Sequence, residues 1–125
     1  MEVTLTVNSE IGTAVIQLRA RAGFPTLSGG ELVCRVQWRG QEYRGAVAAP
    51  EAEAVLALLT SARIAPFAGG AMGLDGESCE LKIEDGGTRA VYSWWMSPPK
   101  EWKPLDEIVG WLRGLGFRTS GQYLP

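Results

Sequence analysis

Short segments in which apolar and polar residues alternate dominate this chain, and they fall into two groups. Val3, Leu5 and Val7 alternate with polar neighbours, and the same period of two recurs over residues 16–20, 32–38 and 41–47. The period returns over residues 78–84 and 88–95. Alternation with a period of two places the apolar side chains on one face of a β-strand. The sequence therefore predicts four strands, and later two more, each with a face to bury.

Two segments follow a helical period instead. Pro50 and Pro104 suit the first turn of a helix, and acidic residues follow both prolines. The apolar stripes at helical spacing are Val55, Leu58, Leu59 and Ala62 after the first proline and Leu105, Ile108, Val109 and Leu112 after the second. We expect the first helix to end near Arg63 and the second to end at Gly114 and Gly116, since glycine often terminates helices.

Turn residues connect these elements. Arg39-Gly40-Gln41 and Asp85-Gly86-Gly87 predict two tight hairpins, and the glycine-rich stretches 23–30 and 69–73 predict loops. Strands joined by short turns pair antiparallel, and two amphipathic helices need an apolar surface to cover. We therefore predict a single α+β domain over residues 1–125: an antiparallel sheet of about six strands with two helices packed on one face. The element order is four strands, a helix, two strands and a helix.

Several functional classes are disfavoured by composition. The chain contains no histidine, which excludes a histidine-based nucleophilic triad and removes the commonest metal ligand. Cys34 and Cys79 are too few for a zinc site. They are consistent with one disulfide or with two buried free thiols. We predict no metal, no cofactor and no enzymatic activity, with an enzyme based on carboxylates, tyrosine or lysine as the remaining catalytic alternative.

Charge and hydropathy bear on the surroundings of the protein. The formal net charge is −2, and the chain has no dense basic block of the kind that nucleic-acid-binding proteins carry. No apolar run approaches the roughly 20 residues that a membrane span requires. The first residues resemble no signal peptide. We expect a cytoplasmic protein that does not associate with membranes.

Arginines are concentrated on the polar face of the predicted strands. If the apolar faces meet the helices, the opposite face carries Arg19, Arg35 and Arg44, together with Gln17, Arg21, Gln37 and Arg39. Guanidinium groups recognise carboxylates and phosphates in a bidentate manner, so this face is a candidate anion-binding or partner-binding surface. The alternative is an ordinary solvated face whose arginines pair with glutamates on neighbouring strands.

Tryptophans form a second candidate site. Four of them, Trp94, Trp95, Trp102 and Trp111, fall within 18 residues. At 100° per residue, Trp111 points about 110° away from the centre of the apolar stripe of its helix. We predict that Trp111 and the adjacent Gly110 lie at the rim of the helix layer, and that Trp95 faces away from Trp94. Exposed tryptophans commonly anchor interfaces, whereas the alternative is a tryptophan cluster inside the core.

One segment carries a family resemblance. GLDGESCELKIEDGGTRAVYSWWMSPPKEWKPLDEIVGWL, residues 73–112, contains a DG turn, a strand, a second strand ending in an aromatic pair, a loop with proline and tryptophan, and a closing helix. The matching positions are Asp75, Gly76, Leu81, Tyr92, Trp94, Trp95, Pro99, Trp102, Leu105 and Leu112. This module resembles one found in small uncharacterised bacterial proteins, several of which resemble the immunity proteins of polymorphic toxin systems. The resemblance covers about a third of the chain and implies a non-enzymatic binding role.

These observations lead to two functional hypotheses. The first is a non-catalytic protein-binding domain, immunity-like in neutralising a toxin, whose partner is another protein or a second copy. The alternative is a module that binds single-stranded nucleic acid or an anionic ligand, with the arginine face for phosphates and Trp38 or Tyr43 for stacking. The acidic pI of about 5.2 disfavours nucleic acid. Alternation also places Trp38 and Tyr43 on the face opposite the arginines.

Overall fold

The structure, a computed structural model, describes residues 1–20, 32–66 and 76–125. Its elements are β1 (Glu2–Ser9), β2 (Gly12–Ala20), β3 (Leu32–Trp38), β4 (Gln41–Ala46), α1 (Ala49–Ser61), β5 (Ser78–Asp85), β6 (Thr88–Trp95), a 3₁₀ turn (Lys100–Trp102) and α2 (Pro104–Ser120). The predicted α+β class and the predicted element order are confirmed. The two predicted glycine-rich loops, at residues 23–30 and 69–73, lie outside the described residues.

The six strands form one antiparallel sheet in the order β4-β3-β2-β1-β5-β6. The first strand lies inside the sheet, where Leu5 faces Ile16 of β2 on one side and Leu81 of β5 on the other. Strand β1 therefore joins the two groups of strands that α1 separates in the sequence.

The two predicted hairpin turns are present, and each has two residues with positive φ. Arg39 and Gly40 have φ values of 52° and 75°, and Gly86 and Gly87 have values of 56° and 91°. Such turns match the twist of the strands they connect. Arg39 consequently belongs to the turn, and its guanidinium carbon lies 5.0 Å from the centroid of the Trp38 ring. The expectation that Arg39 belongs to the arginine face of the sheet is therefore wrong.

One face of the sheet, here called the inner face, is covered by the helices. Its buried residues are Val3, Leu5, Val7, Ala14, Ile16, Leu18, Leu32, Cys34, Val36, Trp38, Cys79, Leu81 and Trp94. Helix α1 contributes Ala52 and Val55 to the same core, and α2 contributes a longer apolar stripe. Each helix has a single apolar stripe to bury, and the apolar side chains of the strands lie on the inner face. Both helices therefore pack on that face.

Helix α2 is longer than its glycines suggested. It continues through Gly114 and Gly116 and ends at Gly121, whose φ is 67° and whose N–H donates to the carbonyl of Phe117. The prediction that it ends at Gly114 and Gly116 is wrong, because Leu115 and Gly116 are buried against the sheet. Burial of this last segment outweighs the low helix propensity of glycine, about 1 kcal/mol per residue relative to alanine.

The two helices run antiparallel across the inner face. Arg118 near the end of α2 forms an ion pair of 3.0 Å with Glu51 at the start of α1. The opposite ends also meet, since Arg63 after α1 and Lys103 before α2 line one shallow groove. Among the described residues, no helix is both long enough and apolar enough to cross a membrane.

Candidate binding surfaces

The opposite side of the sheet, the outer face, is covered by none of the described helices or strands. Its charged side chains are Glu2, Arg19, Arg35, Glu42, Arg44, Glu80, Lys82, Glu84 and Arg89. The β2–β4 half holds three arginines and one glutamate. The half formed by β1, β5 and β6 holds three glutamates, one lysine and one arginine. The outer face is thus basic on one half and slightly acidic on the other.

Two of the three predicted arginines come together at a single glutamate. Glu42 accepts from Arg35 Nη2 at 2.6 Å and from Arg44 Nε at 2.7 Å, one on each carboxylate oxygen. The hydrogen bonds from Arg35 and Arg44 lower the pKa of Glu42 below its ordinary value. Cross-strand pairing, the alternative raised by the sequence, therefore describes Arg35, whereas Arg44 pairs with Glu42 along the same strand. Both ion pairs use part of the capacity of these arginines for an external anion.

The third arginine, Arg19, is exposed on β2 and lies in register with Glu2 of β1 and Val33 of β3. It is therefore not bound to Glu42, and the three predicted arginines do not form one cluster. Trp38 and Tyr43, proposed as a stacking platform, belong to the inner side, where Trp38 is buried and Tyr43 packs on the core. This placement separates the aromatic rings from the arginines and weakens the case for nucleic-acid binding.

Polar side chains at the centre of the outer face are incompletely paired. Thr4 and Gln17 lie opposite each other on β1 and β2. The Gln17 amide nitrogen donates to Glu2 Oε1 at 2.9 Å. Within the described parts of the chain, Thr4 Oγ1 and Gln17 Oε1 are buried and have no hydrogen-bonding partner. A buried polar atom without a partner is unfavourable, so this centre costs some of the stability of the sheet.

At its β6 end the outer face becomes apolar. Val91 and Met96 are 48% and 50% exposed, and Trp95 is half-buried. We call these three residues the β6 rim. The indole of Trp95 and the sulfur of Met96 lie against Gly76, which has no side chain to displace them. Trp95 thus faces away from the buried Trp94, as the alternation predicts.

A second surface lies on the flank of α2, between its buried stripe and its exposed side. Glu107, Gly110, Trp111, Gly114 and Arg118 line a groove of about 440 Å³, here called the α2 groove. Trp111 is half-buried beside the core. Gly110 is exposed, and no described atom lies within 4 Å of the position that a Cβ would take there. The structure therefore places both residues at the rim of the helix layer, where sequence analysis expected them. Sequence analysis did not identify Glu107, Gly114 or Arg118.

Sequence analysis also missed Arg113, which ties the end of the described chain to the sheet. Its Nη1 donates to the Pro125 carbonyl at 3.0 Å, and its Nη2 to Glu77 Oε2 at 3.4 Å. The same nitrogen lies 3.8 Å from the sulfur of Cys79. No period or motif marks Arg113, because these contacts depend on how α2 crosses the sheet.

Both cysteines are free and buried. Burial raises the pKa of Cys34 and Cys79 above the ordinary value of a thiol, and Arg113 partly offsets the effect at Cys79. A thiol in this state is a poor nucleophile. In the described ranges, no group of three or more histidine, cysteine, aspartate or glutamate side chains is arranged to hold a metal ion.

Comparison with known proteins adds no assignment to this geometry. No protein-family model matches the chain, and no curated protein matches it. The function must therefore be argued from the two surfaces.

Proposed function

We propose that this chain is a non-catalytic protein-binding domain whose outer face meets its partner. The observation that carries the proposal is the outer face of a six-stranded sheet, which no described helix or strand covers and which ends in the apolar β6 rim. Half-buried tryptophans beside exposed apolar side chains are typical anchors of protein interfaces.

Charge indicates the chemistry of the partner surface. The β2–β4 half retains positive charge after Glu42 is counted, while the neighbouring half is slightly negative. A partner that places acidic side chains over Arg19, Arg35 and Arg44 and an apolar side chain against Trp95 would match both properties. A sheet of this width, about 24 Å for six strands at roughly 4.8 Å spacing, suits a folded protein surface better than a small molecule.

The resemblance of residues 73–112 to the module of immunity-like proteins leads to a finer proposal. The partner is the toxin of a bacterial polymorphic system, and the domain neutralises it in the cytoplasm by covering its active surface. Trp95, which belongs to the resembling module, is then the residue that contacts the toxin.

The test is complex formation with the protein encoded by the neighbouring gene. The two proteins are co-expressed, and the molar mass of the purified complex is measured by light scattering. We expect one partner molecule per chain. Val91→Glu should abolish the complex and remain folded, because Lys82 lies directly opposite Val91 on β5 and can pair with the new carboxylate.

A matched control makes the same change on the opposite side of the molecule. Phe117 on α2 is 44% exposed, so Phe117→Glu tests whether any new surface charge disrupts binding. We expect this variant to bind like the wild type. Absence of a complex with the wild-type chain would overturn the proposed function. Retention by V91E and loss by F117E would instead move the binding surface to the helices. For the finer proposal, cells that express the toxin should survive with the wild type and die with V91E.

A further inference from the structure

We propose that the α2 groove is the interface of a homodimer in which two copies of α2 pack antiparallel around a two-fold axis. The α2 groove lies on the helix side of the molecule, so its occupant, a second copy of this chain, is independent of the partner of the outer face.

The groove residues form a straight stripe on the helix. Glu107, Trp111, Gly114 and Arg118 are spaced by four, three and four residues. This is the spacing at which the contact positions of a coiled coil recur. The stripe lies on the flank of α2 beside α1, since Arg118 pairs with Glu51 and Glu107 lines a groove with Leu58 of α1. It is separate from the stripe that α2 buries against the sheet. The helix therefore presents a second contact stripe in addition to the one that it buries.

The stripe is complementary to itself when it is reversed. Glu107 and Arg118 lie at its two ends, and Trp111 and Gly114 lie symmetrically between them. In an antiparallel pair with its axis midway, Glu107 faces the second copy's arginine, and Trp111 faces the second copy's glycine. Both contacts occur twice because the two-fold axis repeats them. A two-fold pair therefore places opposite charges next to each other at both ends of the stripe. In the two central layers it places the ring of Trp111 against Gly114, which has no side chain.

Gly114 supplies the space that the ring of Trp111 requires. A Cβ at position 114 would contact Nη1 of Arg118 at 3.4 Å, the end of a flexible side chain, and no other described atom lies within 4 Å. A large ring can therefore enter this space when the Arg118 guanidinium moves aside. A glycine within a helix lowers helix propensity. The glycine at position 114 is explained if a large side chain of a second molecule occupies the space beside it.

Arg118 can serve the second copy without losing its contact within the chain. Its Nη2 lies 3.0 Å from Glu51, and its side chain is half exposed. A guanidinium has five N–H donors in a planar fork, so it can bind two carboxylates at the same time. The intrachain ion pair also limits the conformations of Arg118 and holds it at the end of the groove.

Charge reversal tests this pairing directly. Glu107→Arg and Arg118→Glu should each yield monomers, because each creates like charges at both ends of the stripe. An equimolar mixture of the two variants should form a heterodimer, because every end contact then joins opposite charges. Sedimentation velocity over a concentration series measures the oligomeric state of the two variants, of their mixture and of the wild type. We expect the wild type to dimerise.

A second pair of variants keeps the test decisive if Arg118→Glu fails to fold beside Glu51. Gly114→Gln fills the space for Trp111 and should weaken dimerisation at least tenfold. Ala57→Gln is the control: Ala57 is exposed on α1 and does not line the α2 groove, so the variant adds the same side chain to a helix surface outside the proposed interface. We expect it to dimerise within about twofold of the wild type.

Three outcomes would overturn the proposal. A monomeric wild-type chain up to millimolar concentration would exclude the dimer. A dimer that survives both E107R and G114Q would place the interface elsewhere. Monomeric E107R and R118E whose mixture stays monomeric, with both variants folded by circular dichroism, would exclude the antiparallel register.

Discussion

Gly116 lets α2 approach the sheet more closely than a larger residue would allow. A Cβ at this position would lie 2.8 Å from Ile16 Cδ1 and 3.0 Å from Leu124 Cδ1. Because Ile16 is fully buried in the centre of the sheet, it has little room to move. We predict that Gly116→Ala lowers the free energy of unfolding by about 1–3 kcal/mol, the usual effect of overpacking a core. Urea denaturation measures the difference.

Gly110→Ala provides the control in the same helix. No atom lies near its would-be Cβ, so the substitution adds only helix propensity, worth up to about 1 kcal/mol. Gly110→Ala should therefore raise the free energy of unfolding, whereas Gly116→Ala should lower it. Equal effects of the two substitutions would show that the Gly116 contact with Ile16 is not important for stability.

Glu42 should give the outer face a measurable pH dependence. The guanidinium groups of Arg35 and Arg44 lower the pKa of Glu42 below its ordinary value of 4.5 in the folded state. A lowered pKa means that its stabilising effect is present above pH 4.5 and is lost as the pH falls through the folded value. The carboxyl carbon of Glu42, followed by NMR, should titrate below 4.5. Arg35→Gln should shift this titration upward more than Arg44→Gln, and no shift in either variant would contradict the pairing.

At the scale of elements, Trp102 joins three parts of the fold. Its indole N–H donates to the Ala65 carbonyl after α1 at 2.7 Å, and its ring meets Tyr92 of β6 edge-on at 5.6 Å. The 3₁₀ turn that carries Trp102 therefore holds the β6–α2 connection against the end of α1.

Removing the hydrogen bond and removing the ring should have separable effects. Trp102→Phe keeps an aromatic ring but leaves the Ala65 carbonyl without its donor, and we predict a loss of about 1 kcal/mol in unfolding free energy. Trp102→Ala should lose a further 0.5–1.5 kcal/mol, roughly the value of an aromatic pair. Hydrogen exchange at the Ala62 amide, which donates to Leu58, should accelerate in both variants. Unchanged exchange would show that the end of α1 is held by other contacts.

For the whole molecule, sheet order decides the state of the cysteines. Cys34 on β3 aligns across the sheet with Leu18, Val3 and then Ile83, four residues from Cys79 on β5. Three strand spacings and four residues along a strand separate the two thiols by about 20 Å. A disulfide requires Cα atoms within about 7 Å, so these cysteines cannot pair in the folded protein.

Thiol titration should reflect this separation. We predict that a disulfide-exchange reagent labels both cysteines only when the protein unfolds. Air oxidation of the native protein should leave its mass unchanged, because no disulfide forms. Burial raises both thiol pKa values above 9.0, so their contribution to stability is present below pH 9.0 and declines above it. The decline should be shallower in the double variant Cys34→Ala and Cys79→Ala. Rapid labelling of the native protein would contradict the burial of these residues.

The sequence by itself determined the elements whose signals are local. Alternation identified the strands and their inner faces, glycine turns identified the two hairpins, and the angle of Trp111 from its apolar stripe placed it at the rim. These predictions depend on the geometry of a few consecutive residues, which fixes side-chain direction before any long-range contact forms. The positions of Arg19, Arg35 and Arg44 on the outer face were predictable for the same reason. The turn removes Arg39 from the strand, and Arg21 lies outside the described residues.

Only the tertiary structure decided the contacts between distant segments. Pairing of β1 with β5 brings together residues about 80 positions apart, and no local pattern specifies which strand becomes the neighbour of β1. The length of α2 was also decided by packing, because burial of Leu115 and Gly116 on the sheet overrides the low propensity of its glycines. The pairing of Arg35 with Glu42 likewise depends on strand register, and the contacts of Arg113 depend on helix placement. These interactions form only when the sheet and helices have assembled, so the sequence supplies their chemistry but not their partners.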